Sequence, residues 1–219
     1  MFTVYAYTVN IMPATTAIRR KVQVRKARRP IPNLRDIIRN TARELFAKEG
    51  YASVSMRRIG AEIGCSPMAM YRHYASKDDL LVSICEETFT KMIQLIDARR
   101  EKPGTPLEKL RSCIRTIVDF HLSHPNHYKV TFMTEIPPGP AADRKVAIGQ
   151  STLNRLRKGI EECGEAKGIE LDLELMTQMM RAGMHGLVAV LINAQRPQPV
   201  RHPERLKQEL IMTLTKSLE

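Results

Sequence analysis

Apolar residues recur at spacings of three and four through most of this chain, the pattern of helices that bury one face. The first such stripe is Leu34, Ile37, Ile38, Ala42, Leu45 and Phe46, ended by Gly50, with Asn33 and Asp36 spaced ahead of it as a capping box. Three helices follow, each announced by a serine. Ser55 can cap Met56 to Ile63, with Val54 and Ile59 as a hydrophobic staple and Gly64 as a left-handed stop. Ser66 caps the next, with Pro67 at the first helical position and Cys65 and Met70 as the staple, and this helix runs to about Tyr74. Ser76 caps the third. There Asp79 can reach back to the cap N–H while Ala75 and Leu80 close the staple.

From Ser76 the apolar positions continue through Ile84, Phe89, Ile93 and Ile96 to about Arg100, a helix long enough to leave one small domain and enter another. Pro103 to Pro106 reads as a break. Leu107, Leu110, Ile114, Ile117, Val118 and Leu122 form the next stripe, which stops near His124-Pro125, and a short helix through Met133 follows. Pro137 to Pro140 reads as a loop closed to helix. Ala142 to Cys163 is amphipathic through Val146, Leu153, Leu156 and Ile160, with Gly164 and Gly168 bracketing its end. The helix from Leu171 to Ala194 is apolar on nearly every face in its second half and needs burial on two sides. Pro203 to Leu218 closes the chain with a stripe of Leu206, Leu210, Ile211, Leu214 and Leu218.

Charge changes this picture at one end. The chain has 219 residues and a net charge of +12, and residues 1–32 contribute seven basic and no acidic side chains. These crowd between Arg19 and Arg29 without helical period. The segment is either an arm that follows DNA phosphates or enters the minor groove, or a solvated tail lengthened by a start assigned too early, since Met12 would serve equally well. A secretory signal is disfavoured because the charges follow the apolar residues. Cys65, Cys85, Cys113 and Cys163 are too far apart to form a local metal or redox pair and read as buried thiols of a reducing cytoplasm. The most apolar run, Ala182 to Ala194, is too short to span a bilayer. A cytoplasmic protein with no membrane partner is expected.

Helix, tight turn, helix over residues 55–74 also suggests a groove reader. About eight residues at ~1.5 Å each span ~12 Å, close to the width of the B-DNA major groove. The run Gly50-Tyr51, Ser55, Ile59 to Ser66, Tyr71 to Tyr74 and Ser76 to Leu81 resembles the DNA-binding domain of the TetR family of transcriptional regulators. His124-Pro125 to Met133 with Met184 to Leu187 resembles a ligand-binding domain of some members. The resemblance implies an all-α fold in which a three-helix helix-turn-helix DNA-binding domain (33–81), behind the basic arm (1–32), precedes a larger helical ligand-binding and dimerisation domain (82–219). It also implies a homodimer built on the last two helices, a double-stranded, palindromic DNA operator, an apolar or amphipathic small-molecule effector and a repressor's mode of action.

Carried over position by position, Ser55, Ser66, Tyr71, His73 and Lys77 fall where the family meets DNA, the last three at backbone-contact positions. Arg57 matches a position that contacts a guanine edge in some members, and phosphate contact is the alternative. Pro67, Met68 and Ala69 can read thymine methyl groups. Ile117, Phe120, His121, Met176, Met180 and Met184 are the expected lining of an effector pocket, with plain core packing as the competing reading of the methionines. His185-Gly186 reads as a close helix crossing.

His121, His124 and His127 are spaced by three, but Pro125 interrupts the geometry a metal would need. No phosphate-binding glycine loop, nucleophile elbow or dinucleotide fingerprint is present, so no catalytic residue, metal or cofactor is expected. A nonspecific nucleic-acid binder acting through its arm remains the alternative, and it would survive loss of Tyr71 but not of residues 1–32.

Overall fold

The computed structural model describes residues 33–193 and 200–219, so the basic arm lies outside the described residues. Among them every regular element is helical: α1 (Leu34–Glu49), α2 (Met56–Glu62), α3 (Pro67–Tyr71), α4 (Lys77–Arg100), α5 (Pro106–Ser123), α6 (Pro125–Phe132), α7 (Pro140–Lys167), α8 (Leu173–Ile192) and α9 (Pro203–Leu214), then a 3-10 turn over Lys216–Leu218.

The three serine caps form as their spacing predicts. Ser55, Ser66 and Ser76 accept from the N–H of Arg58, Ala69 and Asp79 at 3.1, 3.3 and 3.0 Å. Gly64 takes the left-handed conformation, φ 63°, between α2 and α3. Asp79 reaches back as expected, but to the N–H of Ala75 (3.2 Å), one residue before the cap. The box expected at Asn33 does not form. Asn33 itself sits at φ 57° with its side chain unused in the cap, and Asp36 pairs with Arg39 at 2.8 Å. A reciprocal box closes instead where a break was expected, between Thr105 and Glu108 (2.8 and 3.2 Å).

Two helix ends differ from the periodicity. α3 stops at Tyr71, because the chain tightens into a turn where the N–H groups of His73 and Tyr74 both donate to Met70 O (3.0 and 3.1 Å). That turn swings Tyr74 into the core, where its hydroxyl donates to Arg35 O at 3.1 Å. α7 begins at Pro140, a residue assigned to a loop, because proline is tolerated where the N–H has no helical partner. It also runs through Gly164 to Lys167, and Gly168 ends it at φ 65°.

Ile38, Ala42, Phe46, Val54, Ile59, Met70 and Tyr74 fill the centre of α1–α3. Leu80, Leu81 and Ile84 in the first half of α4 extend that core, and Phe89, Met92 and Ile96 in its second half pack among α5, α6 and α7. One unbroken helix therefore belongs to both parts. α6 also touches α1 directly, where Asn126 donates to Glu44 at 2.6 Å. On the far side α8 packs on α5 and α7, and α9 on α5 and α8.

α8 corrects the expectation about membrane length. It starts at Leu173, and its 20 residues are long and apolar enough to cross a membrane by length and composition alone. Thr177, Met180, Met184, Leu187 and Val188 are buried in the bundle, while Leu175, Met179, Ala182, Gly186 and Val190 form an exposed apolar stripe on another face. The close crossing lies at Gly183, where a Cβ would stand 2.8 Å from Leu214, and Gly186 faces open space.

Candidate DNA interface and effector cavity

The helix-turn-helix presents one wet face and one dry one. Met70 and Tyr74 hold α3 to the core, while Ser66, Pro67, Met68 and Tyr71 stand exposed and Ala69 and His73 half-buried beside them. The caps leave chemistry to spare. Each serine oxygen accepts from the backbone, so the hydroxyl proton of Ser55 or Ser66 remains available to a phosphate oxygen. The two arginines of α2 differ. Arg58 is committed to Glu62 (2.6 Å) and Glu49 (3.1 Å), whereas Arg57 is exposed and forms no ion pair among the described residues.

Lys77 is drawn inward. Its ammonium donates to Tyr51 O at 2.9 Å and lies 4.1 Å from the centre of the Tyr51 ring, while the Tyr51 hydroxyl donates to Asp78. Burial and then the Asp78 carboxylate raise the Tyr51 phenol above its ordinary pKa. Lys77 thus fastens the start of α4 to the α1–α2 connection, with two ammonium protons left for other acceptors.

A cavity of about 390 Å³ opens among α4–α8. Its walls are Phe89 and Met92 from α4, Ile117 and His121 from α5, Phe132 from α6, Gly149, Thr152, Leu153 and Leu156 from α7, and Arg181, Ala182, Met184, His185 and Val188 from α8. Ile117, His121 and Met184 are therefore in the wall. Phe120, Met176 and Met180 are not. Phe120 stacks on His124 at 4.7 Å, Met180 is fully buried one turn before Met184, and Met176, one turn earlier again, packs partly buried against the core. The α4, α6 and α7 contributions went unread, since apolar residues on a stripe look alike whether they face a neighbour or a void. Thr152 carried a signal. It stands one turn before Leu156 and two before Ile160, a hydroxyl on an apolar face.

The histidines cluster without converging on a metal, and among the described residues no group of three ligating side chains gathers. His127 Nδ1 meets Thr88 Oγ1 at 2.9 Å, His124 Nδ1 meets Phe120 O at 2.9 Å, and His185 Nδ1 lies 3.3 Å from the Tyr128 hydroxyl, which donates to His185 O at 3.1 Å. Among the described residues His121 Nδ1 has no hydrogen-bond partner. Burial, then neighbouring His185, His127 and His124, lower its pKa to about 3, and burial with Arg43 lowers that of His127 to about 4. Both rings are neutral at pH 7.

Residues 38–84 match the family model for bacterial regulatory proteins of the tetR family, and residues 110–214 match that for the tetracyclin repressor-like C-terminal domain. The HTH-type transcriptional regulator AcrR of Shigella flexneri is 25% identical over 177 residues, 77% of this chain and 80% of its own. The regulator FadR of Bacillus subtilis, solved with stearoyl-CoA, shares the fold at a TM-score of 0.67 with 21% identity, over 80% of this chain and 97% of that one. AibR, solved with isovaleryl coenzyme A and operator DNA, does so at 0.68 with 18% identity, over 82% and 96%. With a helix-turn-helix, a larger helical domain behind it and a model of the same family matching each, this chain belongs to the TetR family of transcriptional regulators.

Proposed function

We propose that the chain works as a homodimeric repressor that holds a palindromic operator through residues 33–81 and lets go when an amphipathic acyl compound fills the cavity in residues 82–219. The observation that carries the reading is α4, whose first half is core to the DNA-binding unit while Phe89 and Met92 in its second half wall the cavity. An occupant that favours one position of α4 shifts a two-state equilibrium toward it. On DNA the two copies of α3, the recognition helices of the dimer, must lie about 34 Å apart, or a multiple, so a changed separation costs affinity. An acyl effector is favoured by the apolar walls and by the acyl-CoA partners named for FadR and AibR. Ser55, Arg57, Ser66, Tyr71, His73 and Lys77 are assigned to phosphates and base edges, and Pro67, Met68 and Ala69 to thymine methyls.

The test is selection of bound fragments from a random DNA pool, then titration of the winner and a scrambled control across a salt series. Wild type, Tyr71→Phe and a chain lacking residues 1–32 are compared. A palindromic winner preferred by about 10³ or more, weakened by Tyr71→Phe and released by an acyl-CoA, is the expected result. An unenriched pool, with affinity falling only with salt and with the arm, would establish the nonspecific binder instead.

A further inference from the structure

The wall of the cavity contains two polar atoms with nothing to bond. His121 and Thr152 are 3% and 8% exposed, and among the described residues neither His121 Nδ1 nor Thr152 Oγ1 has a hydrogen-bond partner. Each has neighbours that show what is missing. Buried helical threonines ordinarily return their hydroxyl to the carbonyl one turn back, as Thr88, Thr177 and Thr215 do here at 3.0, 2.6 and 2.9 Å. Thr152 does not. Of the four clustered histidines, three use Nδ1 as described above and His121 does not. Thr131 shares the condition but is no part of the cavity wall. A buried polar group left unpaired is costly, so two in one wall call for an occupant that satisfies them.

A third polar group completes the pattern. Arg181, exposed on α8, lines the same cavity and forms no ion pair among the described residues. The apolar share of the wall suits hydrocarbon, with Phe89, Met92 and Leu156 among its members. The neutral imidazole and the hydroxyl suit an uncharged oxygen, because a carboxylate would be desolvated there without a countercharge. The exposed guanidinium suits an anion.

Building on the effector reading above, we infer that the effector is recognised at its carbonyl: the tail lies among the apolar residues, the carbonyl oxygen is taken by Thr152 Oγ1 and His121 Nδ1, and the anionic end by Arg181. Both atoms are themselves sealed in the wall, so this binding requires Thr152 to turn about χ1 and the imidazole about χ2 toward the cavity. Acyl thioesters and esters joined to an anionic carrier have this sequence of groups. Alkyl compounds of equal length lack its middle member.

The experiment measures calorimetric binding of acyl-CoAs of four, ten and sixteen carbons to the full chain, and then of the S-alkyl thioether matched to the tightest of them. The thioester is expected to bind about tenfold more tightly than the thioether, the worth of one or two neutral hydrogen bonds. Thr152→Val and His121→Phe should each erode that preference while the thioether affinity stays within about twofold. Thr152→Ser should restore it, which a mere packing defect would not allow. Arg181→Gln should weaken thioester and thioether alike. Equal binding of thioester and thioether to the wild type overturns the carbonyl assignment and leaves the acyl effector standing. If no acyl-CoA binds, both fall.

Discussion

A histidine ring that stays neutral inside the bundle ties stability to pH. His121 and His127 are buried and titrate at about 3 and about 4 in the folded chain, against about 6.5 when unfolded. Their contribution is therefore complete above pH 6.5 and is lost as pH falls, because the unfolded chain takes up protons that the folded chain refuses. At pH 5 each should have cost about 2 kcal/mol. Carboxylates add their own acid dependence only lower down. Burial would raise the Glu87 carboxyl, but Lys91, Arg39 and Arg43 hold it below its ordinary range. Urea unfolding at pH 7 and pH 5 separates these sources. The wild type should lose stability across that interval and His121→Phe should lose about 2 kcal/mol less. Equal losses would mean that the ring is protonated in the folded chain.

At the scale of elements, the exposed stripe Leu175, Met179, Ala182, Gly186 and Val190 on α8 fits a partner copy, with Leu206 and Met212 exposed on neighbouring α9. The glycine at 186 leaves room for close approach, since nothing among the described residues occupies the place of its Cβ. Met179→Glu combined with Val190→Lys should convert a dimer to a monomer in sedimentation at micromolar concentration. Operator affinity should fall about 100-fold or more as the second half-site is lost. An unchanged sedimentation coefficient would move the interface elsewhere. That this helix is apolar on more than one face was legible in its composition, as the three serine caps were in their spacing, because both signals are local. Asn33 and Asp36 show the limit of such reading. The same spacing fails when φ is positive and Arg39 competes for the carboxylate. The cavity lies beyond that limit altogether. Met180 and Met184 sit one turn apart on the same stripe, and only the packing of the surrounding helices leaves one facing a void and the other packed.

For the whole molecule the question is how the cavity reaches the DNA-binding unit, and α4 has a second strand of connection beside it. Arg144, near the start of α7, forks onto α4: Nη1 donates to Asp79 at 2.7 Å, and Nε and Nη2 to Glu86 at 3.1 and 2.9 Å. Asp79 in turn holds the Ala75 N–H, just past the turn that ends the recognition helix. Further along α7, Gly149, Thr152, Leu153 and Leu156 wall the cavity, and Gly149 lies so close to α4 that a Cβ there would stand 3.3 Å from the Phe89 ring. α7 thus meets the occupant at one place and the entry to α4 at another. Arg144 is half-exposed, so removing its ion pairs should cost about 1 kcal/mol of stability or less. Its effect on coupling should be larger in proportion. In Arg144→Gln, operator affinity without effector should stay within about threefold of wild type, while the factor by which a saturating acyl-CoA weakens it should shrink about fivefold, a coupling change of about 1 kcal/mol. Operator titrations with and without the acyl-CoA read both quantities. If the substitution lowers affinity by the same factor in both, Arg144 anchors the entry to α4 and transmits nothing, leaving α4 and the α6–α1 contact to carry the signal.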